Sequence, residues 1–330
     1  MSYRSIGRLH FLVLSASLAA ASVAGAVELR FAHGSSEAHF VNVAAKAMAE
    51  QLDSETQSGI TMSVFPNEQL GGGPEIIEQV TLGAEIMTVA NSGDLAEFVP
   101  DIGVIQFPFL YSSYAEAEPL LKSELFSGWK QELAEQHNVR LLCLFNFGVR
   151  DLFTVNAPVR TPADMKGMKV RVQPVELYLE LVKKSFGAVP TPLPYSELYS
   201  ALSQGVVDAA ESPPVAILDQ KFNEVSKYLT LTNHVLDLAS IIMSEEVWAK
   251  LSDAEQKALQ ASADLACSNM TSESEASYEA AVDELAASGM EVIRDPDLAA
   301  FREGAAEIEA AFPEWSPGLL ANVKKAIATQ

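Results

Sequence analysis

The strongest constraint on the fold is an order of predicted elements, strand, helix, strand, helix, strand, that occurs twice along the chain. In the first occurrence, alternating or helical apolar spacing marks residues 27–31, 40–52, 60–65, a helix beginning near Pro74, and 86–90. In the second, the same order covers residues 168–173, 175–186, a short strand near Val189, 195–204 and 206–210. Strands that alternate with helices form parallel sheets covered by helices, so this order predicts two similar α/β halves. A length of 330 residues is also sufficient for two domains.

A long helix is predicted after the second half. Ser252 and Glu255 form a capping box, and an apolar face continues until Gly289. At 1.5 Å per residue, about 37 residues span roughly 55 Å. Because this length exceeds one small domain, we expect the helix to run across both lobes.

The first 26 residues have the pattern of an export signal. Arg4 and Arg8 precede an apolar segment at 11–21, and the small residues 24–26 fit signal-peptidase cleavage after Ala26. The apolar run is short for a membrane anchor, and no later segment approaches membrane-spanning length. The sequence therefore predicts an exported protein without stable membrane insertion.

The charge excludes one class of partner. Lys and Arg total 22 against 44 Asp and Glu, a formal net charge of −22. Such a chain repels a phosphate backbone, so nucleic acid is not an expected partner.

The two cysteines are far apart in sequence. Cys143 lies in an apolar run and Cys267 in the long helical pattern, so each is predicted as a small buried residue. A disulfide between them is the alternative in an oxidising compartment.

Motifs of catalysis are missing from the sequence. It contains no HExxH, CxxC, GxSxG or Walker A pattern, and the glycines at 71–73 are predicted to form a turn. The histidines show no metal-ligand spacing. We therefore expect no enzyme activity, no metal and no cofactor, although an exported hydrolase stays open as the alternative of another class.

Arginine is scarce, which makes its positions informative. Seven arginines follow the export signal, and Arg171 lies near the end of a predicted strand. Parallel sheets bind ligands beyond the carboxyl ends of their strands, where a guanidinium grips a carboxylate with two parallel hydrogen bonds. Arg150 follows the apolar strand at 141–147 and offers a second positive group. The alternative for either residue is an ordinary surface salt bridge.

Several stretches together resemble one known family. The segment at 161–171, Thr-Pro-Ala-Asp-Met-Lys-Gly-Met-Lys-Val-Arg, is similar to the signature of DctP-type solute-binding proteins of tripartite ATP-independent periplasmic (TRAP) transporters. Further similar stretches lie, in family order, at 65–71, 192–199, 205–211 and 221–225. The resemblance implies two α/β lobes, a long bridging helix, and a cleft that closes over an organic acid held by Arg171.

The resemblance also implies other ligand contacts. Arg150 matches a second carboxylate contact, Tyr195 an aromatic ring that packs on the ligand, and Asn91 a polar position that selects ligands. His33, at the end of the first strand, falls in the mouth of the same cleft.

Hydroxyl-binding groups favour a sugar acid. Asn91, His33, Glu211 and Ser212 are predicted to contact ligand hydroxyls, with hydrogen bonds to nearby backbone as the alternative. The sialic-acid-binding branch typically has Glu at the place of Asn91 and Asn at the places of Pro174 and Ser212, so sialic acid is disfavoured.

These observations define the predicted protein. Residues 1–26 are the signal peptide, 27–147 with 238–277 form lobe I, and 148–237 with 278–330 form lobe II. The expected function is capture of a sugar acid such as a hexuronate and its delivery to the small and large membrane subunits of a TRAP permease. A C4-dicarboxylate, a 2-oxo acid, or a chemosensory role without transport are the alternatives.

Overall fold

The computed structural model describes residues 27–54 and 59–328, and the predicted export signal lies outside these residues. The strands, numbered in chain order, are β1 Val27–Ala32, β2 Ile60–Phe65, β3 Ile86–Asn91, β4 Val139–Thr154, β5 Lys169–Val172, β6 Val189–Pro192, β7 Ala209–Ser212, β8 Tyr228–Ser244 and β9 Glu291–Ile293.

The α-helices surround these strands. They are α1 Phe40–Ser54, α2 Gly73–Thr81, α3 Ser92–Leu95, α4 Tyr114–Leu121, α5 Glu124–His137, α6 Glu176–Glu180, α7 Leu198–Ser203, α8 Pro214–Asp219, α9 Glu245–Lys250, α10 Asp253–Ala287, α11 Leu298–Ala305 and α12 Leu319–Ile327. Shorter 3₁₀ turns lie at Pro100–Gln106, Pro162–Met165, Tyr195–Glu197, Phe222–Glu224 and Glu309–Ala311.

The strands form one mixed sheet in the order β2-β1-β3-β8-β4-β7-β5-β6, with β9 beside β8. Strands β1, β2 and β3 pair in parallel, as do β5, β6 and β7. We call the half that contains β1–β3 the first lobe and the half that contains β5–β7 the second lobe. The predicted mixed α/β architecture of two similar halves is confirmed.

Two long antiparallel strands connect the lobes. Strand β4 has 16 residues and β8 has 17, and they pair with each other along most of their length. The pairing register shifts between Asn146 and Gly148, where Gly148 has φ +142°. A Cβ atom on Gly148 would lie 2.6 Å from Cβ of Pro213. Only glycine therefore fits where the second lobe crosses this irregular part of β4.

Helix α10 runs across both lobes, as the sequence predicts. It begins after the capping box of Ser252 and Glu255 and has 35 residues. Its first half buries Leu259 and Met270 among first-lobe side chains, and its second half buries Val282 and Leu285 among second-lobe side chains. Tertiary packing on both lobes stabilises a helix whose own sequence is largely polar.

A disulfide joins α10 to β4. Cys143 and Cys267 are bonded, with their Cα atoms 6.3 Å apart. The prediction of two separate buried thiols is wrong. Helix α10 packs on β4 beside Cys143, which brings the sulfur atoms of Cys143 and Cys267 within bonding distance. Spacing along the chain gave no information on this packing.

Replacing both cysteines with alanine is expected to lower the free energy of unfolding by about 3 kcal/mol, because the bond closes a long loop between residues 124 apart. Urea denaturation of the Cys143→Ala, Cys267→Ala variant measures the change. Wild-type protein unfolded in reductant is the matched control and should give the same midpoint. A variant as stable as the oxidised wild type would contradict the prediction.

Tyr278 connects α10 to the lobe-crossing strands. Its hydroxyl lies 2.7 Å from Oδ2 of Asp151 and 2.8 Å from Oδ1 of Asn233. Asp151 is fully buried, and its Oδ1 accepts from the backbone N–H of Asn233. Burial raises the pKa of Asp151 from 3.8 to about 7, against the opposing effect of these hydrogen bonds.

The raised pKa of Asp151 predicts a pH-dependent stability. Between pH 4 and 7 the folded state holds a proton on Asp151 that the unfolded chain releases, so the free energy of unfolding falls as pH rises through this window. An Asp151→Asn variant should lack this contribution and gain stability relative to wild type from pH 4 to 8. Urea unfolding at several pH values tests this, with the exposed Asp295→Asn as control. Parallel curves for wild type and Asp151→Asn would contradict it.

Local details differ from the sequence pattern. The helix predicted at 175–186 is a short α6 that continues as a π-helical turn, Leu181–Ser185. The strand predicted at 206–210 is observed at Ala209–Ser212, because Gly205 at φ +70° delays its start.

The C-terminal segment packs on first-lobe elements. Helix α12 contacts α4, and the backbone N–H of Ser316 donates to Asp101 at 2.8 Å. Trp315 also packs against Phe107, with ring centroids 6.2 Å apart. The segment that was predicted within the second lobe therefore also contacts the first lobe.

None of the helices in the described part of the chain combines the length and the apolar character that crossing a bilayer requires.

Candidate functional site

The predicted site residues lie where parallel strands of the two lobes end. His33 follows β1 and Asn91 ends β3 in the first lobe, while Arg171 lies in β5 and Ser212 ends β7 in the second. The strand ends of the two lobes meet where Nδ2 of Asn91 lies 3.4 Å from Oε1 of Gln173, the residue after β5. This is the position at which α/β sheets bind ligands.

Arg171 is buried with part of its guanidinium unpartnered. Its side chain is 1% exposed, and its Nε and Nη2 atoms donate to the carbonyl oxygen of Leu193 at 3.0 and 2.8 Å. Its Nη1 atom is buried without a hydrogen-bond partner. Burial lowers the pKa of Arg171 to about 10, and the nearby charge of Arg150 acts in the same direction while Glu211 opposes it. A buried cation with a free donor is costly unless an anion pairs with it.

Tyr195 lies against this guanidinium. The Cζ atom of Arg171 is 5.5 Å from the centroid of the Tyr195 ring. The ring also meets Phe222 edge-on at 5.8 Å, and its hydroxyl is hydrogen-bonded to Ser212. Burial raises the pKa of Tyr195, against the opposing effects of Arg171 and of the hydrogen bond with Ser212, so the phenol stays neutral. The cation–π contact orients the fork of Arg171.

His33 presents a neutral ring to the cleft. Asn42 donates through Nδ2 to the carbonyl oxygen of Glu37 at 2.7 Å, which turns its Oδ1 toward Nε2 of His33 at 3.3 Å. This arrangement favours a proton on Nε2 of His33, and its Nδ1 is buried without a hydrogen-bond partner. Burial lowers the pKa of His33 to about 4, so this ring is uncharged at neutral pH.

Asn91 joins the two lobes at the cleft. Its Nδ2 atom lies 3.4 Å from Oε1 of Gln173, the residue that follows β5. Its backbone N–H donates to Asp94, whose pKa burial raises to about 6. The sequence predicted Asn91 at the cleft but not this contact with Gln173.

Arg150 and Glu211 form a buried ion pair. Arg150 donates through Nε and Nη2 to the carboxylate of Glu211, and through Nη1 to Asp237 at 2.5 Å. Burial alone would raise the pKa of Glu211, but Arg150 and His234 lower it to about 2. Asp237 is buried too, and burial raises its pKa against the effect of Arg150.

Arg150 is therefore paired with two carboxylates of the chain, and Glu211 and Asp237 together use four of its five N–H donors. Glu211 is paired with Arg150, and Nε2 of His234 lies 3.5 Å from its Oε2. These residues form a buried ion cluster between segments distant in sequence.

Sequence reasoning missed several members of this cluster. Gln106 donates to Asp237 at 2.6 Å and accepts from the backbone N–H of Gly93 at 3.1 Å. One signal was present: Asp237 is the only charged residue in the apolar run 235–243, and a buried charge requires a partner. Glu68, which acts electrostatically on Arg171 from the first lobe, was also missed.

Two lobes joined by crossing strands, with a buried and partly unpartnered cation between them, define a solute-binding protein that takes small acids. The family model for bacterial extracellular solute-binding proteins, family 7 (DctP), matches residues 31–314. The chain belongs to this family of TRAP solute-binding proteins, as its motifs predicted.

Known relatives agree with this assignment. A TRAP solute-binding protein from Actinobacillus succinogenes 130z, solved with bound L-galactonate, is 33% identical, with a TM-score of 0.87 over 92% of this chain and 100% of that chain. The solute-binding protein RD1_1052 of Roseobacter denitrificans is 33% identical over 76% of each chain. The 2,3-diketo-L-gulonate-binding periplasmic protein YiaO of Escherichia coli is 30% identical over 92% of each.

Proposed function

We propose that this protein binds a six-carbon sugar acid, an aldonate or a hexuronate, through a single carboxylate held by Arg171. The observation that carries the proposal is the buried Nη1 atom of Arg171, which has no partner. A ligand carboxylate supplies the charge and the acceptor that this atom lacks. Tyr195 and the Leu193 carbonyl hold the guanidinium in one orientation, so its side chain loses little conformational freedom on binding.

The other contacts favour a hydroxylated monocarboxylate. The acceptor Nδ1 of His33 requires an O–H donor, which a sugar acid offers and a plain C4-dicarboxylate lacks. A dicarboxylate needs a second cation, but Arg150 is paired with Glu211 and Asp237, and His33 is neutral. The dicarboxylate alternative is therefore the weaker one.

Relatives support the same ligand class. Two similar solved structures hold bound L-galactonate, at 33% and 30% identity to this chain. Another, from Pseudomonas putida F1, was solved with D-glucuronate. We therefore extend the ligand class from hexuronates, which the sequence slightly favoured, to include aldonates.

Binding is coupled to transport by closure of the lobes. The ligand carboxylate contacts Arg171 of the second lobe, and the ligand hydroxyls contact residues of the first lobe. Together these contacts stabilise the state in which both lobes touch the ligand. We propose that export to the periplasm follows cleavage near Ala26, and that small and large TRAP membrane subunits recognise the closed form. No covalent step is required for this role.

A ligand screen tests the proposal. Purified protein, unfolded and refolded to remove bound solute, is titrated by calorimetry with L-galactonate, D-glucuronate, succinate, N-acetylneuraminic acid and neutral L-galactose. Heat of binding with a sugar acid and none with L-galactose is the expected result. Tight binding of succinate or N-acetylneuraminic acid, with neither six-carbon sugar acid bound, would contradict it.

A further inference from the structure

A direct contact joins the lobes near His33, outside the predicted ligand contacts. Ser36, in the loop between β1 and α1 of the first lobe, donates through its backbone N–H to Oδ2 of Asp219 at 3.3 Å and through its hydroxyl to Oδ1. Asp219 is the last residue of α8 in the second lobe. One carboxylate therefore accepts two hydrogen bonds from one residue of the opposite lobe.

Both partners of this contact are held in place within their own lobes. The backbone N–H of Ala38 lies 3.3 Å from the Ser36 hydroxyl oxygen, which leaves the hydroxyl proton directed at Asp219. On the other side, Nε2 of Gln220 donates to Oδ2 of Asp219 at 2.9 Å. Half-buried and preoriented groups of this kind form stronger contacts than exposed ion pairs.

A second pair of segments also meets across the cleft. Gly93 of α3 approaches Val175 so closely that a Cβ atom on Gly93 would lie 2.8 Å from a Val175 methyl carbon. Asn91 and Gln173 make their hydrogen bond beside this contact. The Ser36–Asp219 contact differs from this one because it joins a charged acceptor to an oriented donor without using a predicted ligand-binding residue.

We propose that Ser36 and Asp219 form a latch that holds the two lobes closed and sets the residence time of the bound acid. Opening of the lobes separates Ser36 from Asp219, so the hydrogen bonds oppose opening in the free protein and in the liganded one. Asp219 is in this account a positioning residue, and it acts through the relative position of the lobes. The inference rests on the proposed function for the identity of the bound acid, but the contact between Ser36 and Asp219 forms without a ligand.

Stopped-flow kinetics with L-galactonate tests the latch. Asp219→Asn should raise the dissociation rate constant about tenfold, because a charge-assisted hydrogen bond is lost only on the closed side. Ser36→Ala should raise the dissociation rate constant in the same direction. The double variant should have the same dissociation rate constant as Asp219→Asn, because both changes remove the same interaction.

The control is a carboxylate that accepts a hydrogen bond within one lobe. Glu224 accepts from the Tyr199 hydroxyl at 2.9 Å, both in the second lobe, and Glu224→Gln should leave the dissociation rate constant unchanged. If Asp219 instead contacts the ligand, Ser36→Ala will have wild-type kinetics and the two changes will be independent. That result would overturn the latch.

Spin labels on the two lobes test the latch without any ligand. Val43→Cys and Val206→Cys place labels on exposed positions of the first and second lobes, and both native cysteines are already bonded. Double electron–electron resonance should show a longer mean distance in Asp219→Asn than in the wild-type background. Identical distance distributions would overturn the latch, even if no sugar acid binds and the proposed function fails.

Discussion

Replacing Arg171 with alanine is expected to weaken sugar-acid binding at least about 100-fold, because the ligand carboxylate would be buried without its charged partner. The fork of Arg171 is fixed by Leu193 and Tyr195, so it donates to the ligand without further ordering. Arg171→Lys should recover only part of the loss, since an ammonium keeps the charge but not the planar fork. Calorimetric titration with L-galactonate measures both variants.

Arg160 provides the matched control. It is exposed and paired with Asp295 at 2.8 Å, and Arg160→Ala removes the same side chain from the same lobe. The Arg160→Ala variant should bind L-galactonate with the affinity of the wild type. Similar losses in Arg160→Ala and Arg171→Ala, or folded Arg171→Ala protein with unchanged affinity, would contradict the assignment of Arg171.

Replacing Arg150 with methionine is expected to lower the free energy of unfolding by about 4 kcal/mol, because it leaves two buried carboxylates without their cation. Without this cation, protonation of Glu211 and Asp237 would stabilise the folded variant. The loss in free energy of unfolding should therefore become smaller as the pH is lowered. The triple variant Arg150→Met, Glu211→Gln, Asp237→Asn should recover much of the stability. Urea denaturation at pH 7 and pH 5 measures these differences.

Arg140 is the control for this second prediction. It also pairs with one carboxylate, Glu245, through two hydrogen bonds of 2.5 and 2.6 Å, but both side chains are about a quarter to a third exposed. Arg140→Met should lower the free energy of unfolding by less than about 1 kcal/mol, which is the range for solvent-exposed ion pairs. A stable Arg150→Met protein that has lost acid binding would show instead that Arg150 contacts the ligand.

Local sequence patterns predicted most of the architecture. The alternation at 27–31 and 60–65 and the capping box at Ser252 each depend on residues close in sequence, and the structure has β1, β2 and α10 there. The boundary errors have local causes as well, such as the positive φ of Gly205. Periodicity defines elements well because it reports which face of each element is buried.

Contacts between distant residues were not predictable in the same way. The disulfide partners are 124 residues apart, and Arg150 lies 61 residues from Glu211 and 87 from Asp237. Neither charge balance nor spacing indicates which of many acids pairs with Arg150. The predicted position of Arg171 depended on the strand end, a local feature, whereas the pairing of Arg150 depended on the tertiary fold.

A crystal structure of the complex with L-galactonate tests the central claim most directly. The account predicts a carboxylate oxygen about 2.8 Å from Nη1 of Arg171, with a ligand hydroxyl donating to Nδ1 of His33. Arg150 should keep its contacts with Glu211 and Asp237. A ligand carboxylate bound to Arg150, or one beyond hydrogen-bond distance of Arg171, would contradict the account.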